Sequence, residues 1–181
     1  MFSIVLLSPQ VLSAKVTVHK NEVSGLLTWT SEDDGFSIEL IQLLPDFVRA
    51  IYAKHEFPKS EVERAASYCV FGTILKNTSS QHMSYYVKDW RYATKDKPVK
   101  LLPVKTKSQW LKEWRKADIT FSWTLLPDVG EFEAGDWQQG FTTIKLPREA
   151  EFDLIYKWQL DGESHTGVLE NIKCPPESIG E

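Results

Sequence analysis

The sequence predicts a mainly β chain: an immunoglobulin-like antiparallel β-sandwich with an N-terminal helical section. Three observations carry that expectation. First, the last third alternates apolar and polar residues with a period of two. Ile119, Phe121, Trp123 and Leu125 alternate with Thr120, Ser122 and Thr124, and Phe152, Leu154, Tyr156, Trp158 and Leu160 alternate with Asp153, Ile155, Lys157 and Gln159. Half-buried strands read this way because successive side chains point to opposite faces of a sheet. Second, six or seven short strand-like runs from Cys69 onward are separated by turn residues, as in a sandwich. Third, Cys69 shares strand parity with Phe71, Thr73 and Leu75, and Cys174 shares it with Val168 and Ile172. Both cysteines therefore face inward, as the halves of an inter-sheet bridge would; two buried free thiols are the alternative.

The elements follow in chain order. Residues 1–14, "MFSIVLLSPQVLSA", are uncharged and mostly apolar and end in small residues, so they read as a secretory signal, with a hydrophobic edge strand at Phe2 to Leu7 as the alternative. No later stretch approaches the roughly 20 apolar residues that span a bilayer. Residues 15–181 then form one domain. "KVTVHK" and "GLLTWTS" read as strands divided by a turn at "KNEVSG". A helical section at 45–68 follows. Pro45 opens a stretch in which Phe47 and Ile51, and Val48 and Tyr52, fall four apart, and Pro58 stops it. Ser60 and Glu63 have the spacing of a capping box for a second short helix. The nearly unbroken apolar run "YCVFGTILKN" reads as a strand covered on both faces, and "NTSSQ" after it as a turn. "SYYVKDWRYAT" reads as a strand, and Pro98 and Pro103 confine "KPVKLLPV" to an edge. Ser108 is positioned to cap a helix that places Trp110 and Trp114 one turn apart. "GFTTIKLP" supplies a strand, and Asp161-Gly162 turns the chain from "FDLIYKWQL" into "TGVLENIKC".

Composition narrows the function classes. The chain has 181 residues, a formal charge of −4 and a pI near 5.6, with lysines scattered among acids, so nothing draws it to nucleic acid. Gly-x-Ser-x-Gly, phosphate-loop, His-Glu-x-x-His and Cys-His nucleophile patterns are all missing from the sequence. The expected function is an exported, non-enzymatic accessory or protein-binding protein of the cell envelope, periplasmic or extracellular, acting through loop and sheet surfaces.

The preferred partner surface is "GEFEAGDWQQGF", residues 130–141, a glycine-bounded loop offering Asp136, Trp137, Gln138 and Gln139. A tryptophan beside amides gives large contact area with hydrogen-bonding groups around it. The alternative is Trp137 folded back as a lid over the core. Trp90 and Arg91 form a second candidate surface. A different class of function, copper handling in the periplasm, rests on His82 and Met83, an imidazole beside a thioether, with His165 as a third ligand at a hairpin end. An uncharacterised enzyme ranks third. "EDD", residues 32–34, is a turn with a calcium site as its alternative, and Asn77-Thr78-Ser79 fits a glycosylation acceptor.

Overall fold

The computed structural model describes residues 15–179, and the secretory reading of residues 1–14 lies outside them. From the N-terminus, β1 (Lys15–Lys20), β2 (Leu27–Asp33) and β3 (Phe36–Leu43) form an antiparallel meander. Helices α1 (Pro45–Lys54) and α2 (Lys59–Ala66) follow, and β4 (Cys69–Asn77) returns to pair with β3. The chain then enters a second sheet through β5 (Met83–Tyr86), β6 (Arg91–Thr94) and β7 (Leu101–Pro103). After α3 (Lys107–Trp114), β8 (Val129–Phe132) joins β5, whereas β9 (Trp137–Ile144) goes back to the first sheet beside β4. β10 (Glu151–Leu160) and β11 (Glu163–Lys173) make the closing hairpin of the second sheet.

The first sheet has the order β1-β2-β3-β4-β9. In the second, β10 pairs with β11 on one side; on the other it pairs with β5 along Trp158–Leu160 and with β6 along Phe152–Ile155. The run expected as one strand, "SYYVKDWRYAT", is thus a single line broken by a 3-10 turn at Val87–Asp89. Among the described residues β7 pairs with β6 alone, the edge position that Pro103 requires.

Two antiparallel sheets packed face to face meet the coarse expectation, but the helical section does not precede the sheet. It is inserted mid-chain, between β3 and β4. The reason lies in "FSIELIQL", whose burial alternates along the strand, with Phe36, Ile38 and Leu40 inward, and which binds β1 and β2 into the same sheet as β4.

Aromatic residues fill the space between the sheets. Phe36 stacks on Trp158 at 5.1 Å and lies 5.6 Å from Tyr156, and Phe71 meets Phe152 at 5.9 Å. On β11 the alternation slips: the register shifts opposite Phe152 and Leu154, so Leu169 and Ile172 both face inward while Val168 turns out. A second core lies on the outer face of the first sheet. There Val48 and Tyr52 of α1, Val62 and Ala65 of α2, and Trp110 and Trp114 of α3 close over Val70. The Val48/Tyr52 pair is therefore the buried face of α1, and Phe47 is half exposed.

The caps differ from the expected ones. Thr106, not Ser108, caps α3 through a capping box with Gln109, and Ser108 instead donates to Asp128. Pro58 precedes α2, which leaves Ser60 inside the helix without a capping bond. Between the helices Glu113 accepts from Lys105 and Arg64. Burial alone would raise its pKa, but those two cations hold it below the usual carboxylate range.

The segment 119–125 is the largest departure from expectation, because it is not a strand. Its alternating apolar residues cover the helices rather than a sheet: Ile119 is buried against them, Phe121 packs on His55, Phe57 and Tyr52, and Leu125 joins the same core. Trp123 is left outside.

Cys69 and Cys174 are bridged across the two sheets, with Cα atoms 5.2 Å apart and a separation of 105 positions in sequence. A closure that long constrains the unfolded chain, so replacing both cysteines with alanine should cost about 3 to 5 kcal/mol in denaturant unfolding. Thiol titration of the denatured, unreduced protein should find no free thiol.

Candidate functional site

The helices cover only one end of the first sheet's outer face. Toward the other end, alternation along β3, β4 and β9 turns Ile41, Gly72, Ile74, Trp137, Gln139 and Phe141 to the same side. The segment leaving α3 comes down onto this surface at the edge of β9. Phe141 N–H donates to the Thr124 carbonyl at 2.6 Å, and Leu126 N–H donates to the Phe141 carbonyl at 3.1 Å. The Thr124 hydroxyl lies 3.0 Å from the Tyr52 hydroxyl, whose pKa burial pushes up to about 12, so the phenol remains protonated.

This approach depends on Gly140. A Cβ there would lie 2.4 Å from the Leu126 main chain, so a side chain would push the segment off the strand. The result is an open cleft of about 250 Å³ bordered by Ile41, Ile74, Trp123, Thr124, Gln139 and Phe141. Trp123 is 87% exposed and Trp137 60% exposed, whereas Trp29, Trp90, Trp110, Trp114 and Trp158 are all buried.

The stretch 130–141 is therefore mostly strand. Gly130 and Phe132 are buried in β8, and only the link from Glu133 to Asp136 turns. Trp137 opens β9 as an exposed residue, not a lid, and Gln139 shares its face. Gln138 points inward and accepts from the Tyr85 hydroxyl at 3.1 Å. Asp136 is exposed and accepts from Glu133 N–H at 2.9 Å, which shapes the turn.

Asn77 holds this corner together. It is fully buried at the end of β4. Its amide nitrogen reaches the carbonyls of Gln81 at 2.7 Å, Glu133 at 3.1 Å and Phe132 at 3.4 Å, while its Oδ1 accepts from Ser79 N–H and the Ser79 hydroxyl. Its main chain pairs with Asp136 and Gly135. The glycosylation reading of this residue is corrected accordingly: a buried amide with every site in use is not an acceptor in the folded chain.

The remaining sequence candidates are dispersed. Trp90 is core, with its indole N–H donating to the Lys157 carbonyl at 3.1 Å, so it offers no surface contact. Arg91 is half-buried and donates to the carbonyls of Lys88 and Trp90. His82 is exposed and pairs with Glu131 at 3.1 Å, but Met83, next in the chain, turns to the opposite face and is buried. His165 stacks on Trp158 at 5.3 Å with Asp34 3.2 Å away. The three are not brought together, and no group of three or more metal-ligating His, Cys, Asp or Glu side chains occurs among the described residues. Asp34 and Gly35 form the β2–β3 turn. Burial, and then the neighbouring Asp34, raise the pKa of Asp33, against the opposing pull of His165.

No protein-family model, no curated protein and no solved structure matches the chain.

Sequence reasoning missed Trp123, which was expected in the core, and the structural role of Asn77. The cue for Asn77 was present: an asparagine followed by Thr-Ser-Ser at a strand end is turn chemistry that uses the side chain on nearby main chain. Asn77→Ala would leave buried carbonyls unpaired at two chain crossings. A loss of about 2 to 4 kcal/mol in unfolding free energy is expected, measured by denaturant titration.

Proposed function

We propose that the chain is an exported, non-enzymatic accessory protein of the cell envelope that binds a protein partner through the face bearing Asp136, Trp137 and Gln139. The sheets serve as a rigid scaffold, in the manner of immunoglobulin-like domains, and the activity lies in what they display. One observation carries the reading: two tryptophans of seven are exposed, both on one side of one sheet, beside a cleft. Leaving an indole in water forgoes a burial worth roughly 1.5 to 3 kcal/mol or more. Exposed aromatic residues of this kind mark interaction surfaces. The buried bridge supports an oxidising compartment. No helix among the described residues is long and apolar enough to cross a membrane.

Trp137→Ala should weaken capture of the partner from an envelope extract by about 2 kcal/mol or more while leaving the melting temperature almost unchanged. Trp158→Ala should do the reverse, losing roughly 3 to 5 kcal/mol of folding stability. Equal melting losses in the two variants would make Trp137 a structural residue and remove this surface as the site.

A further inference from the structure

Trp123 is the most exposed tryptophan in the chain, and its exposure does not come from a loose loop. Thr124, next to it, is held by a main-chain bond to β9 and a hydroxyl contact to α1, and Leu126 is seated against Gly140. The main chain that carries the indole is therefore held in a fixed place beside a small cleft. That cleft has no charged lining residue, although a quarter of the chain is charged. The nearest charges on the sheet, Glu39 paired with Ile74 and Lys76 paired with Trp137, stay outside the lining.

A charged ligand would lose its hydration there without gaining a partner, so the complementary ligand is neutral. The volume of about 250 Å³ falls below the roughly 300 to 1,000 Å³ of sites for drug-sized molecules, and suits one ring rather than a large ligand. The lining also sets the ligand's chemistry. A flat apolar platform, Trp123, stands beside an amide, Gln139, and a hydroxyl, Thr124, whose oxygen keeps capacity beyond its contact with Tyr52. A pyranose ring fits this set, because one face presents only C–H groups and the rim presents hydroxyls. Trp137 and Gln139 share one face of β9, so a second exposed indole stands two residues beyond Gln139, where a further sugar of a chain would lie.

We propose that this cleft binds a sugar unit of a neutral polysaccharide, stacked on Trp123 and hydrogen-bonded by Gln139 and Thr124. The cleft adjoins the face proposed for protein capture and shares Gln139 with it. The test is calorimetry and tryptophan emission with cellohexaose, chitohexaose and xylohexaose, set against glucose, N-acetylglucosamine and xylose. At least one hexaose should bind, more tightly than its monosaccharide, and shift the emission. Trp123→Ala should weaken that binding by roughly tenfold or more while leaving the melting temperature unchanged. Gln139→Ala should weaken it as well, which separates hydrogen bonding from simple adhesion to an exposed ring. Absence of binding to all three hexaoses at millimolar concentration would overturn the proposal, as would binding that survives Trp123→Ala. Monosaccharide binding as tight as that of the hexaose would overturn the assignment to a polymer.

Discussion

The amide of Asn77 is the constraint on which the display surface depends. Two crossings between the sheets meet at this residue: β4 leaves for β5 through Thr78 to His82, and β8 returns to β9 through Glu133 to Asp136. Neither link has strand partners of its own, so its main-chain groups need another acceptor or donor. The Asn77 side chain supplies part of them for both links at once, donating toward the carbonyls of Gln81 and Glu133 and accepting from Ser79 N–H. Trp137 follows immediately after the second link, so its position on the sheet is set by a buried hydrogen-bond network and not by loop preference.

β4 is held at its other end by a covalent tie. Cys69 opens the strand and is bridged to Cys174, just beyond β11, so one end of the strand is joined to the second sheet by a disulfide and the other by an amide. Between them the inner face packs aromatic rings against β10, and the outer face is divided between helices and solvent. That division creates the site. The three helices cover Val70 and stop, and the segment from Ile119 to Leu126 descends from them to the edge of β9. Trp123 projects at the boundary, where neither the helices nor a neighbouring strand can reach it.

Much of the fold was legible because burial on one face writes alternation directly into a strand. β10 could be read residue by residue: Phe152, Leu154, Tyr156, Trp158 and Leu160 are all buried. The Asp161-Gly162 turn was equally plain, since both residues adopt positive φ in the hairpin. The bridge followed from parity. The same rule misled at Ile119 to Leu125, because a segment packing on helices can alternate as well, and periodicity does not name the surface that receives the apolar side. Trp137 was legible as exposed through its polar neighbours. Trp123 was not, since its neighbours two places away, Phe121 and Leu125, are apolar and packed. Asn77 was hidden for a different reason: its partners are carbonyls as far as 56 residues away, and no local pattern records them.

The central claim is that Trp123 and Trp137 alone among the seven tryptophans stand in solvent, fixed there by the fold. Iodide quenching of intrinsic fluorescence in the native protein tests it directly, comparing wild type with a Trp123→Phe/Trp137→Phe double variant. The account predicts that wild type has a distinct quenchable fraction and that the double variant, equally stable, loses nearly all of it. A quenchable fraction that persists in the double variant would place other tryptophans at the surface and contradict the arrangement described.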